Sequence, residues 1–272
     1  MSKRIVEWRR GAWSVVLTGL IVVAGAQPSG AQGRGGPPPT PQAGAPVDLA
    51  GTWVSIVTED WRWRMMTPPK GDYASVPLNA EGRRIADSWD LERDNTNGEA
   101  CRPFGAANIM RVPARVRFSW NNETTLRLET DAGQQTRVFQ FEPTGEPIGE
   151  TTWQGHSVAE WDQVAQENGF GFGPPPGNTG GMTGHLKVVT TNMRPGYLRW
   201  NGVPYSEDAI LTEHFNQHTD PVSGEEWFTV VAIVDDPTYL TVPFIVSSSF
   251  KREMDESRWN PTPCATDPPA IG

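Results

Sequence analysis

The strongest constraint on the fold is a long alternating pattern over residues 115–141. Apolar side chains such as Val116 and Phe118 alternate there with charged or polar ones. This period of two is typical of strands with one buried face. Turn signals at 121–123 and 131–133 divide the run into three strands. The pattern therefore predicts consecutive hairpins of an antiparallel sheet.

More segments of the same kind lie on both sides of this run. They fall at residues 51–57, 151–161, 185–193, 207–217, 225–235 and 241–252. About nine or ten strands with mostly short links are typical of a barrel or a sandwich. Only residues 79–89 show convincing helical spacing, with Asn79 as the expected cap. We predict an all-β fold, a closed or nearly closed antiparallel barrel with one short helix.

The first 31 residues have the layout of a secretory signal peptide. A positive start precedes an apolar run from Ala12 to Ala26, and small residues at 24–26 and 29–31 fit a cleavage site. The apolar run is shorter than the roughly 20 residues of a membrane span, although an uncleaved anchor stays open as an alternative. We predict a periplasmic or extracellular protein with no integral membrane span after processing.

The rest of the chain divides by composition. Residues 32–47 are Gly, Pro and small polar residues, which predicts a disordered leader. A single β domain is expected over 48–264 and a C-terminal tail over 265–272. The net charge of −9 argues against a nucleic-acid partner, because nucleic acid requires a basic face.

Cys101 and Cys264 are the two cysteines of the chain. An even number of cysteines in an exported chain predicts a disulfide between them. Two buried free thiols are the alternative.

The start of the predicted domain resembles a known barrel family. Asp48-Leu49-Ala50-Gly51-Thr52-Trp53 is similar to the Gly-x-Trp opening of lipocalin- and avidin-like barrels, in which the Trp packs across the barrel floor. Residues 153–161, 186–192, 206–215 and 234–237 resemble a broad group of uncharacterised secreted bacterial proteins of lipocalin-like (calycin-type) expected fold. The resemblance covers most of 48–264 and implies that fold, but it carries no catalytic residues.

The sequence departs from this group in one place. The group has a tight turn where this chain has a Gly/Pro-rich insertion, residues 163–184. We expect the insertion to be a loop that covers one mouth of the barrel. Phe170 and Phe172 are its candidate ligand contacts.

Three arginines are candidate ligand-binding residues. A simple register places Arg117, Arg127 and Arg137 in one cross-strand row, and like charges directly opposite destabilise a sheet. Water, Glu129 or a bound anion must then offset the repulsion. A solvated outer face and an anion or carboxylate site are the two interpretations.

The twelve tryptophans are a second source of candidates. An extended segment would place Trp61 and Trp63 on one side, where flat rings suit ligands that also carry rings. We include Trp53 with them, while plain core packing remains the alternative. The predicted function is secreted or periplasmic binding of a small, partly apolar or aromatic ligand in the barrel cavity.

An enzyme in the same cavity is the second hypothesis, as a cofactor-independent isomerase, hydratase or cyclase. Its candidate catalytic residues are Asp60, Glu213, His214 and Tyr205. No cofactor is expected. No metal site is expected either, because His214 and His218 lie about 13 Å apart on a straight strand. A structural or accessory protein of the cell envelope is the third hypothesis.

Overall fold

The computed structural model of the chain describes residues 38–143, 149–165 and 182–265. Within these ranges the elements are β1 (Gly51–Ile56), α1 (Trp61–Arg64), α2 (Ala80–Asp87), α3 (Leu91–Thr96), a 3₁₀ turn (Arg102–Phe104), α4 (Ala106–Ile109), β2 (Arg115–Asn122), β3 (Thr125–Thr130), β4 (Thr136–Gln140), β5 (His156–Ala165), β6 (Met182–Thr191), β7 (Gly196–Arg199), β8 (Val203–Tyr205), β9 (Ile210–Thr219), β10 (Glu226–Asp235) and β11 (Phe244–Arg252).

Nine of these strands form a closed barrel, so the predicted all-β barrel is confirmed. The order around it is β1-β11-β10-β9-β6-β5-β4-β3-β2, and β7 pairs with β8 in a separate hairpin. Every neighbouring pair is antiparallel except β4 and β5, which are parallel. The prediction of a fully antiparallel barrel was therefore wrong at this pair. Parallel neighbours need a connection that returns along the barrel rather than a tight hairpin turn.

The two ends of the barrel differ. At the floor end, where β1 begins, the Trp53 ring is fully buried and its indole N–H donates to the Leu49 carbonyl over 2.9 Å. This is the position that the Gly-x-Trp resemblance implies. The cap end, where β1 ends, is covered by residues 57–114 and by the β7–β8 hairpin, which form a second apolar core.

The helices of the cap end lie in the link between β1 and β2. The predicted helix is confirmed as α2, and the Asn79 side chain caps it by accepting the Gly82 N–H over 2.8 Å. The expectation of one helix was wrong, because α1, α3 and α4 are further helices. They have only four to six residues each. Such lengths show no helical periodicity. No helix in the described residues is long and apolar enough to cross a membrane.

Aromatic rings fill the middle of the barrel. Phe228 contacts the rings of four neighbours, with centroid distances of 4.6 to 6.0 Å, namely Trp53, Phe118, Phe215 and Phe250. Phe139 completes the cluster against Phe118 and Phe215. All six side chains are at most 1 % exposed. The interior at this level is therefore a packed side-chain core.

The C-terminal segment runs along the outside of β2 and β3 toward the cap end. The Arg117 guanidinium lies 4.7 Å from the centroid of the Trp259 ring, and the Thr262 N–H donates to the Asp131 carbonyl over 2.9 Å. The segment ends in the predicted disulfide, which joins Cys264 to Cys101 in the cap. The bond therefore fastens the tail to the link between β1 and β2.

We predict that removing this disulfide lowers stability without abolishing the barrel. The cysteines are 163 residues apart in sequence, and a loop of that length gives about 5 kcal/mol in the chain-entropy model, less any strain. The Cys101→Ser/Cys264→Ser variant should melt at a lower temperature and keep its far-UV circular dichroism. Peptide mapping without reductant should find the two cysteines joined in the wild type. Two thiols open to alkylation in the native protein would contradict the assignment.

Candidate functional site

The predicted arginine row is wrong in register at both hairpins. The β2–β3 turn lies at Glu123 and Thr124, and a bulge lies between Trp120 and Asn122, so that Arg117 lies opposite Glu129 rather than Arg127. This shift of two residues leaves Arg117 and Arg127 on the same face. The β3–β4 pairing is shifted by one residue, so that Arg137 lies opposite Leu128 rather than Arg127. Because side chains alternate along a strand, a shift of one residue moves a side chain to the other face of the sheet.

The three arginines accordingly have different surroundings. Arg117 and Arg127 lie on the outside of the barrel and share Glu129, so this carboxylate offsets their repulsion. Arg137 points into the barrel and is 1 % exposed. The sequence-predicted anion row is thus divided into an outer pair with its own counter-charge and one interior arginine.

Arg137 forms a buried ion pair with Glu213. Its Nη1 and Nη2 donate to the two carboxylate oxygens over 3.0 and 2.5 Å, and Nη2 also donates to the Thr190 hydroxyl over 3.1 Å. The Ser157 and Thr190 hydroxyls are 2.8 Å apart. Both charged side chains are at most 1 % exposed. This bidentate pairing satisfies both charges within the barrel.

The candidate catalytic residues are not brought together. Glu213 faces inward, whereas His214, its neighbour on β9, lies on the outer face, where its Nδ1 is 2.9 Å from His185 Nε2. Burial and then the His185 charge lower the pKa of His214. Tyr205 is fully buried in the cap core, and burial raises its pKa. Asp60 accepts a hydrogen bond from Arg111 Nη1 over 3.0 Å.

The tryptophan segment also differs from the prediction. Residues 61–64 form the one-turn helix α1 rather than an extended strand, after Asp60 in a left-handed conformation with φ of 52°. Trp61 is 62 % exposed, whereas Trp63 is partly buried and lies against the Arg199 guanidinium. Phe170 and Phe172 lie outside the described residues, while the described ends of their link, Ala165 and Met182, lie at the floor end, opposite α1.

A different row of aromatic side chains lies at the floor end. The rings of Trp120 and Phe141 stack with a centroid distance of 5.6 Å, and Phe141 contacts Trp161 at 5.3 Å. All three are partly buried and pack on the barrel core. We call Trp120, Phe141 and Trp161 the aromatic row.

The residues before β1 form the facing wall of a groove. The groove has a volume of about 700 Å³ and is lined by the aromatic row's Phe141 and Trp161 and by residues 39–46. The Trp161 indole N–H donates to the Pro41 carbonyl over 2.7 Å, and the Gln163 amide donates to the Gly44 carbonyl over 3.0 Å. Residues 39–46, predicted to be disordered, therefore lie against the barrel. We call this cleft the aromatic groove.

Sequence reasoning missed the aromatic row because its members are about 20 residues apart. The alternation did place Trp120 on the face of Phe118. Phe141 and Trp161 are neighbours because β4 and β5 pair in parallel. The sequence predicted antiparallel pairing throughout and so did not bring these two residues together.

Comparisons with protein-family models, with curated proteins and with solved structures find no match to this chain. In the described part of the chain, no group of three or more His, Cys, Asp or Glu side chains is placed to hold a metal ion.

We predict that the Arg137–Glu213 pair is structural. Glu213→Ala should destabilise the protein by about 3–5 kcal/mol, because it leaves a buried arginine without its counter-charge. The Arg137→Met/Glu213→Leu variant removes both charges and should recover most of that loss. Urea denaturation of the two variants and the wild type measures the difference. Equal stability of Glu213→Ala and the wild type would refute the structural role.

Proposed function

We propose that the protein binds a small ligand carrying a flat ring in the aromatic groove. The observation that carries the proposal is the row of three contacting rings beside a groove of about 700 Å³. Small-molecule sites are clefts of about 300–1,000 Å³, lined mainly by apolar and aromatic side chains with a few polar groups. A ring of the ligand would stack on Trp161 or Phe141, whose faces are not fully buried.

The groove is favoured over the barrel interior by packing. Six buried aromatic side chains occupy the middle of the barrel, and a ligand there would have to displace them. Protein cores are packed as densely as organic crystals, so that displacement is costly. The groove needs no such rearrangement.

The polar groups of the groove indicate which ligands suit it. Its lining includes the carboxylates of Glu142 and Glu160 and the backbone of a Pro-rich segment. Glu160 also pairs with Lys187 over 2.7 Å. The Trp161 N–H and the Gln163 amide already donate to residues 41 and 44. A groove rich in acceptors favours a neutral ring ligand with hydroxyl or amino donors.

The proposal includes export, with the protein acting in the periplasm or outside the cell. The Cys101–Cys264 disulfide supports this location, because such bonds persist in oxidising compartments. The signal-peptide pattern of residues 1–31 supports it as well. Membership of a secreted bacterial group with lipocalin-like barrels is part of the same proposal, supported by the barrel and by Trp53 at its floor.

The test compares two tryptophans at opposite ends of the barrel. Trp161→Ala should weaken binding of a neutral aromatic dye, N-phenyl-1-naphthylamine, by about 1–2 kcal/mol, since a ring contact is lost. Trp61→Ala is the matched control, because this exposed ring lies at the cap end. Fluorescence titration measures both affinities, and melting curves check the fold.

Native mass spectrometry of protein purified from its own cells extends the test to the natural ligand. A co-purifying small molecule should be retained by Trp61→Ala and lost from Trp161→Ala. Loss of the molecule or of dye affinity in Trp61→Ala alone would place the site at the cap end and overturn this proposal.

A further inference from the structure

The cap end contains a cluster of four arginines and three carboxylates around α1. Three of the arginines are paired: Arg62 with Asp72, Arg64 with Glu59 and Arg111 with Asp60. Among the described residues no carboxylate pairs with the fourth arginine, Arg199. The cluster therefore has one more positive than negative charge.

Arg199 is nevertheless 1 % exposed. Its Nη1 donates to the Ala74 carbonyl over 2.6 Å. Its Nε and Nη2 are buried and have no hydrogen-bond partner among the described residues. These two N–H groups form one edge of the guanidinium, which is the edge that binds the two oxygens of a carboxylate or phosphate side by side.

Two more buried donors without a described partner belong to the same cluster. They are Arg111 Nη2 and Trp63 Nε1. The Trp63 ring lies 4.5 Å from the Arg199 guanidinium, and the Arg111 and Arg199 guanidiniums both lie within 6 Å of the Phe244 ring centroid. Buried donors are normally paired, and leaving one unpaired is costly.

Deprotonation of Arg199 does not remove the excess positive charge of the cluster. Burial, followed by the charge of Arg111, lowers the pKa of Arg199 to about 10. Arg199 is therefore still a cation at neutral pH. Burying a cation without a paired counter-ion is unfavourable, and an anion with two acceptor oxygens would offset the charge and accept from the Nε and Nη2 edge.

We propose that Arg199, with Arg111 and Trp63, forms a binding site for an oxyanion group, a carboxylate or a phosphate. The site is separate from the aromatic groove, which lies at the other end of the barrel. Trp63 covers Arg199, and the donor atoms have no exposed surface, so the anion enters when the Trp63 side chain moves aside. The side chains of Trp61, Met65 and Met66 beside it are exposed.

The experiment uses the full chain with inorganic phosphate or sodium acetate as the probe and sodium chloride at equal ionic strength as the reference. The melting temperature should rise in phosphate or acetate above its value in chloride, since a ligand that binds only the folded state stabilises it. The probe that raises the melting temperature more, phosphate or acetate, identifies the anion class. Equal melting temperatures in all three salts would overturn the proposal, because ordered water then suffices for the donors.

Arg199→Lys is the decisive variant. It keeps the charge but lacks the paired N–H edge, so the phosphate dissociation constant should rise about tenfold or more. Arg117→Lys, on the outside of the barrel, is the matched control and should bind as the wild type does. Unchanged phosphate affinity in Arg199→Lys would overturn the proposal.

Trp63→Phe keeps the test valid if Arg199→Lys does not fold, as judged by circular dichroism. It keeps a ring over Arg199 and removes only the indole N–H. Its phosphate affinity should fall several-fold, as expected for the loss of one hydrogen bond to a charged group. Retained affinity in a folded Trp63→Phe would show that the anion binds elsewhere.

Discussion

Aromatic rings packed inside the barrel hold its strands together and fill its middle. Phe228 touches four other aromatic side chains, and these rings join strands on opposite sides of the barrel. Burying an aromatic side chain removes about 150–250 Å² of it from water. The cluster is therefore a large part of what holds the barrel closed. Because the same rings occupy its middle, a binding site would have to lie at one of the two ends of the barrel or on its outer surface.

The sequence predicted the barrel because alternation is a local signal. The alternation alone predicts that Val116, Phe118 and Trp120 share one face of β2, without information from any other strand. The register was not predictable in the same way. The turn at Glu123 and Thr124 and one bulge before Asn122 together place Glu129 opposite Arg117, and a bulge adds a residue that the alternation does not reveal. The orientation of Arg137, and hence the buried pair with Glu213, follows from the β3–β4 register, which differs by one residue from the predicted one.

The candidate sites were harder to predict than the fold for a related reason. Trp161 and Phe141 meet only because β4 and β5 are parallel, and Arg199 meets Trp63 across 136 residues of sequence. No sequence pattern within a single segment predicts either contact. Of the residues in the two proposed sites, only Trp63 was among the ligand-binding candidates from the sequence. The partners of these residues depended on the tertiary fold.

Stability alone does not explain the charges of the cap end. At the cap end, four arginines are held close together, and burial lowers the pKa of Arg64 to about 10 and that of Arg111 in the same direction. Apolar side chains of similar volume often serve at least as well as buried ion pairs. Arg199 is the guanidinium in excess, and its Nε and Nη2 have no partner among the described residues. Its presence is better explained by an anion that the site accepts.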